Sequence, residues 1–509
     1  MACESHKIDS NITGLAFAEE ECLKLLPVNP VWYNLEPNSY SDFGGEVSTV
    51  ARSPIDPSRQ NKKGTITDLN ASGGFNTDFT KSNLTRLLQG FFFADARELP
   101  TTKPLNGEVI TVTGVDIDDN YVELSSGGEQ FIEGMLVQTS GFSVSANNGM
   151  KVVVESDTDS VTFESQIITD NNTSAASLTA VGIALPEDDA SIVVTDGVAS
   201  LETVVTDFTA YPFLIAGAWV FVGGDDGHAF DSNVGFARIK SVTSDALVFD
   251  DVTWQPANES GDGKSLYLFC GSIIKNENDP ALIKRRSYNI ERTLGDGVMG
   301  AQAEYLEGAV ANEFSLSIPQ ANKISADLSF VACDNTHRSG DTGDELKGGD
   351  RVPANGEDAY NTSSDIYRIK MSINSDTSVP ASLFGYVSEA SVSINNNVTP
   401  NKAVGVLGAF DTSAGNFEVS GSVTAYFSTV EAVRAVRNNA DVGLSIIGAA
   451  KNAGFIFDIP LLGLGGGRLA VEKDAPITVP LKTAGAENAN GYTLLHQVFS
   501  YLPNVAMPY

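Results

Sequence analysis

Four histidines occur, at positions 6, 228, 337 and 496, and none is followed by a second histidine or a cysteine at i+3 or i+4. A zinc-binding helix face is therefore not indicated. Asp116, Asp118 and Asp119 in VDIDDNY begin like a calcium loop. Tyr121 and Gly127 stand at the sixth and twelfth positions, where the sharp-turn glycine and the bidentate glutamate belong. The segment GLGGGRL (463–469) lacks the Lys-Ser/Thr ending of a phosphate loop and runs into strand-like LAVEKDAPITVPL, so it reads as a turn. Neither a Gly-x-Ser-x-Gly elbow nor an HExxH helix is present. Cys3, Cys22, Cys270 and Cys333 are scattered without a CxxC pair and read as free thiols. No catalytic residue, metal site or cofactor is expected, and the chain is not expected to be an enzyme.

A different kind of chemistry is written into residues 386–427, YVSEASVSINNNVTPNKAVGVLGAFDTSAGNFEVSGSVTAYF. Two alternating runs flank a wide connection rich in Asn, Gly, Pro and Ser. Period-two alternation assigns the faces. Tyr386, Ala390, Val392 and Ile394 share one side of the first run with Ser388, opposite Val387, Glu389, Ser391 and Ser393. In the second, Phe417, Val419, Val423, Ala425 and Phe427 oppose Glu418, Ser420, Ser422, Thr424 and Tyr426. Paired antiparallel, these strands make a sheet with one apolar and one hydroxyl-and-carboxylate face. That face suits the solvent side of an ordinary sandwich. It also suits the wall of an aqueous channel, where scarce Lys and Arg let a polyanion pass without sticking.

The elements that hold such a face are mostly strands. Alternation recurs in EVITVTGV (108–115), MKVVVES (150–156), EFSLSI (313–318) and IYRIKMSI (366–373). Helical spacing shows only in KSNLTRLLQGFF (81–92), through Leu84, Leu87, Leu88 and Phe91, and in STVEAVRAVRNN (428–439). The second has Ser428 and Glu431 in capping-box spacing and valines at 430, 433 and 436. The segment 334–358 lacks any apolar period and reads as a long mobile loop, or as a segment that orders only against a partner.

At 509 residues with 42% hydrophobic and 19% charged side chains, the chain is a folded protein of several domains. A formal charge of −33 excludes a surface that wraps nucleic acid. No membrane span and no signal peptide are recognised, so a soluble, not conventionally secreted protein is expected. The charge is uneven. Residues 105–275 hold 26 acidic and 5 basic side chains, net −21, while the remainder of the chain carries −12. This shift marks 105–275 as an inserted acidic β-rich module, expected to be independent of the flanking parts 1–104 and 276–509. Within it, 134–163 can be laid on 217–249: Gly134, Gly141 and Gly149 match Gly217, Gly224 and Gly235, and Val161 and Phe163 match Leu247 and Phe249. Two related halves, about 105–170 and 195–275, are expected.

The run SVSINNNVTPNKAVGVLGAFDTSAGNFEVSGSVTAYFST resembles the C-terminal half of tailed-phage tail tube (major tail) proteins. DAPITVPLKTAGAENANGYTLLHQVFSYLP (474–503) is similar to their closing strands, and 27–88 resembles their first half. The middle, with NNG (147–149) and NVGFARIKSV (233–242), resembles the insertion of longer members. The resemblance implies a mainly β tube domain: a β-sandwich with a flanking α-helix, contributing strands to an inter-subunit β-barrel. It implies hexameric rings stacked into the conduit for DNA ejection, in a virion tail assembled in the host cytoplasm. Tape measure, tail terminator and baseplate or tip proteins would be partners, with double-stranded DNA passing through and no membrane insertion. Glu389, Ser391, Ser393, Glu418, Ser420, Ser422 and Thr424 become candidate lumen residues. Asn395, Asn397, Lys402 and Asp411, together with Arg338, Lys347 and Arg351, become candidates for contacts between rings or subunits. The alternative is a β-rich virion or cell-surface adhesin that binds carbohydrate or a receptor.

Overall fold

The computed structural model describes residues 10–55, 57–297, 300–340, 346–374 and 382–508. Seventeen strands, all outside the acidic segment except the one at its C-terminal end (Ser272–Lys275), form one connected hydrogen-bonded system. They are β1 Gly14–Glu19, β2 Val31–Leu35, β3 Pro37–Arg52, β4 Lys62–Asp78, β5 Ser272–Lys275, β6 Tyr288–Gly297, β7 Gly300–Ile318, β8 Ser325–Ala332 and β9 Asp334–Ser339. There follow β10 Asp350–Val352, β11 Ile366–Ile373, β12 Val387–Asn395, β13 Glu418–Tyr426, β14 Val442–Ala450, β15 Ala453–Gly466, β16 Thr478–Gly485 and β17 Leu495–Phe499.

Two long strands join the layers of this sandwich. The first half of β7 pairs with β6 and β9; its second half pairs with β8 and β12. Gly308, at φ +62°, lies between the halves, where any Cβ would press on Cys333 and Lys24. A left-handed residue there is what lets one strand serve two layers. β15 likewise pairs first with β14 and β17 and then with β16. One layer runs β3–β4–β8–β7–β12–β13–β16–β15–β14–β11, and the other runs β9–β7–β6–β1–β2–β10. The enclosed core takes Leu15 and Phe17 from β1, Phe75 from β4, Leu306 and Phe314 from β7, Val392 and Val423. Burial of each such side chain stabilises by about 1.5–3 kcal/mol.

Helix α1, Thr85–Phe92, closes the core with Leu87, Leu88, Phe91 and Phe92. It stops at Phe93, whose left-handed φ of 50° sends its amide back to the Gln89 carbonyl. α2, Glu431–Arg437, departs from the sequence reading. Val430 caps it without a side-chain bond, and Val430 is exposed while Ala432 and Ala435 are buried. The helix thus turns Ala432 and Ala435 inward, with Val433 and Val436 packed beside them. The glycine run 463–466 is the end of β15 rather than a turn, and the left-handed Gly466 and Gly467 terminate it. The segment 334–358 is also more ordered than expected: it supplies β9 and the short β10, which pairs in parallel with β2. Its residues 341–345 lie outside the described part.

The acidic segment forms a separate sheet of thirteen strands. Six of them, starting at 177, 135, 149, 160, 121 and 112, lie side by side in that order. Six others, starting at 266, 219, 235, 246, 198 and 190, repeat the same order. The two sets meet where Gly182–Leu185 pairs with Leu266–Phe269. Gly134 and Gly217 share φ near 81° and 90°, and Gly149 and Gly235 share 125° and 146°. Val161, Leu247, Phe163 and Phe249 are all buried.

This sheet is welded to the sandwich, contrary to the expected independence. Trp219, Phe221, Phe236 and Phe269 of the acidic segment share a dry cluster with Ile447, Ile456, Phe499 and Leu502. The Gln497 side chain accepts the Trp219 amide at 2.8 Å and donates to its carbonyl at 2.7 Å. Beside it, Arg238 binds Asp250 at 2.7 Å and the wholly buried Asp458 of β15 at 3.2 Å. Arg368 and Lys370 of β11 bind Asp251 at 3.0 and 2.7 Å. Three cations and three carboxylates thus meet in the junction, with both arginines against the Trp219 ring.

Candidate functional site

β12 and β13 pair antiparallel as a wide hairpin. Ala390, Val392, Ile394, Val419, Val423 and Ala425 point into the core. Glu389, Ser391, Ser393, Glu418, Ser420, Ser422 and Thr424 lie on the opposite, accessible face. One assignment is reversed: a bulge between Val387 and Glu389 turns Val387 toward the core and leaves Tyr386 79% exposed. The extra bulge residue shifts the alternation by one. The wide connection carries its own ladder, Thr399–Asn401 against Asp411–Ser413.

Neighbouring strands carry the polar face well beyond this hairpin. One row of register partners reads Ser39, Asn76, Asp327, Ser315, Ser393, Ser420 and Ala484, from β3 across to β16. A second reads Asp78, Ser325, Ser317, Ser391, Ser422 and Lys482. The hydroxyls satisfy one another across strands: Ser391 with Ser422 and Ser315 with Ser393, each at 3.0 Å. Thr424 donates to Glu389 at 2.8 Å, Asn395 to Glu313 at 3.1 Å and Asn76 to Asp327 at 2.9 Å. Short side chains tied to each other stand close to the sheet, so the wall is smooth as well as polar. Ser315, Ser317, Glu313 and Asp327 were not among the residues expected from sequence. Their signal was the alternation in EFSLSI and SADLSF, but nothing local says that these strands flank the hairpin.

The candidate contact residues have partners inside the chain. Lys402 Nζ binds Asp68 and Asn70 of β4, and the Lys402 hydrogen bond holds the Asp68 carboxyl below its ordinary range. Asp411 pairs with Arg285 at 3.3 Å. Asn397 donates to the Asn416 carbonyl at 3.0 Å. Lys347 Nζ binds Asn289 and Glu307 at 2.6 and 2.7 Å. Arg351 forks onto the buried Glu291, which also accepts from Tyr305. These contacts strap residues 346–352 onto β6 and β7. Arg338 lies on β9, half-buried, in register with Ala303.

A further surface escaped the sequence reading. The distal part of the β3–β4 hairpin extends beyond its neighbours, its two strands paired as far as Arg52 and Lys62. Val47, Val50, Ile55 and Ile66 are exposed along it, and Val404, Leu407 and Phe410 are exposed on the loop that Lys402 anchors to its base.

Among the described residues no group of three His, Cys, Asp or Glu side chains could hold a metal ion, and no helix is long and apolar enough to cross a membrane. His496 is buried between Phe457 and Phe79, its Nδ1 3.0 Å from the Ile456 carbonyl, and burial depresses its pKa to about 4. It is a packed neutral ring. Asp116 accepts the amides of Asp118 and Asp119 in an exposed turn. Cys22, Cys270 and Cys333 are free thiols, and Cys3 lies outside the described residues.

No curated protein matches the chain. A family model described as phage tail tube protein matches residues 10–211 and 203–485, nearly the whole of both sheets. With its β-sandwich and helix, the chain belongs to the phage tail tube protein family, whose role is structural.

Proposed function

We propose that copies of this chain close into hexameric rings that stack into the tail conduit, with the polar face of β4, β8, β7, β12, β13 and β16 lining the bore. The observation that carries this reading is the rows of hydroxyl, carboxylate and amide side chains that run from β4 to β13, ending at Ala484 and Lys482 of β16 and backed by one apolar core. Such a wall has few cations to hold a phosphate, and its carboxylates keep DNA at a distance while the hydroxyls form no fixed bonds with it. Glu389, Ser391, Ser393, Glu418, Ser420, Ser422 and Thr424 are lumen residues in this reading, joined by Glu313, Ser315, Ser317 and Asp327.

The exposed apolar residues of the β3–β4 arm and of the 402–410 loop supply the surface for self-association, covered by the adjoining copy. The charged candidates Lys402, Asp411, Lys347 and Arg351 act indirectly, by holding the arm, loop and strap in place. The acidic module faces outward, where its charge keeps tubes apart. Tape measure, terminator and baseplate or tip proteins complete the tail, which is assembled in the host cytoplasm and releases DNA through the bore.

Electron microscopy of the purified protein tests the assembly: rings or tubes of uniform bore are expected, and a persistent monomer at high concentration sinks the reading. Ser391→Cys then tests the wall. In assembled tubes this thiol should react with a small maleimide but not with one carried on a bulky protein; equal reaction with both places the face outside.

A further inference from the structure

A cleft of about 440 Å³ opens between the acidic module and the C-terminal segment of the sandwich, remote in role from the polar wall. Its size falls in the range of small-molecule sites, roughly 300–1,000 Å³. Two of its lining residues, His228 and Tyr267, stack face to face at 4.0 Å with their planes 6° apart. The histidine is fixed further by Nδ1, 3.0 Å from both the carbonyl and the hydroxyl of Ser265. This is a pre-positioned aromatic platform, with Tyr501 on the same lining.

The polar groups around the platform restrict what it can hold. Asp225 is committed to the amides of Asn504 and Val505. Glu164 and Asp226 are exposed and their carboxylates make no hydrogen bond among the described residues. Lys151 is only 6% exposed, and its ammonium has one described partner, the Ser165 hydroxyl at 3.3 Å. Three carboxylates against one ammonium repel an anion. A metal ion is disfavoured as well, since no trio of ligating side chains converges here. A neutral polyol satisfies both kinds of group, because each hydroxyl donates to a carboxylate and accepts from an ammonium. If it is also a ring with an apolar C–H face, it can lie on the aromatic pair.

We propose that this cleft is a binding site for a neutral saccharide. The proposal goes beyond the conduit role and does not depend on which sheet face lines the bore. Saturation-transfer NMR on the full-length protein, with the methyl glycosides of glucose, galactose, mannose and N-acetylglucosamine, tests it, with glucuronate as the anionic counterpart. At least one neutral glycoside should receive transfer and glucuronate less. Glu164→Ala, at an exposed side chain with no internal bond to lose, should weaken binding about tenfold, the loss of one charge-assisted hydrogen bond. His228→Ala should weaken it independently. The proposal is overturned if no neutral glycoside receives transfer, if glucuronate binds better, or if both substitutions leave binding unchanged.

Discussion

The polar wall and the junction between the two sheets use similar side chains under opposite conditions. On the wall, Ser391, Ser393, Ser422 and Glu389 are bonded to their cross-strand neighbours while staying in contact with water. In the junction, Arg238, Asp251, Lys370 and Asp458 are almost or wholly withdrawn from it. A surface group that loses its partner turns to solvent at little cost, whereas a buried ion that loses its partner has nowhere to turn. Polarity on the wall is therefore free to serve function, and polarity in the junction is tied to stability.

The largest effect is expected from removing residues 105–271, which spares β5 and its pairing with β17. That deletion exposes Ile447, Ile456, Phe499 and Leu502 and leaves Asp458, Arg368 and Lys370 without their partners. The truncated chain should be insoluble or aggregate without forming tubes, read by sedimentation and microscopy; soluble, tube-forming product would break the contrast at once.

Next in size is Arg238→Met, which strands two carboxylates in the junction and should cost about 3–5 kcal/mol in urea unfolding. Lys402→Ala, which removes an ion pair that stays in contact with water, should leave the urea midpoint almost unchanged. Equal losses would mean that burial does not separate the two regions.

A smaller, pH-dependent effect follows from two buried groups of opposite sense. Burial, opposed by Arg238, raises Asp458 from 3.8 to about 6, so its contribution to stability is full below 3.8 and is lost as pH rises to about 6. Burial lowers His496 from 6.5 to about 4, so its contribution is full above 6.5 and is lost as pH falls to about 4. The two slopes oppose each other between these limits. Asp458→Asn removes one, so the variant should lose more stability than the parent when both are taken from pH 6.5 to 4. An identical pH slope in parent and variant would show that Asp458 does not titrate in this window.

The smallest effect on folding belongs to the wall. Ser391, Ser393, Ser420 and Ser422 changed together to Lys should alter stability by only about 1 kcal/mol, through lost serine pairs and mutual repulsion. The same change should slow DNA ejection, because four ammonium groups per subunit would then grip phosphates. Unimpaired ejection through such tubes would remove these residues from the bore.

Side-chain direction is legible wherever local geometry alone sets it. Alternation at Ser391–Ile394 and Val419–Ala425 assigned buried and accessible faces because side-chain direction depends only on the pleat. The spacing of Leu84, Leu87, Leu88 and Phe91 disclosed α1 for the same reason. The local pattern failed at Tyr386, where one extra residue in a bulge reverses it, and at Val430 ahead of α2, which is exposed while Val433 and Val436 pack beside Ala432 and Ala435.

The β-rich class, the two polar runs, the uneven charge and the likeness of 134–163 to 217–249 can be read from the residues alone. All are properties of neighbouring residues or of simple counts. That Asp327 and Ser315 continue the polar face beside Ser393, that Lys347 and Arg351 are straps rather than free hooks, and that the acidic sheet is welded to the sandwich is visible only in the packed chain. Those facts depend on pairings between residues far apart in the chain, such as Asn76 with Asp327 or Arg238 with Asp458. They are settled by which buried surfaces and charges find partners when the whole chain packs, and no short segment carries that information.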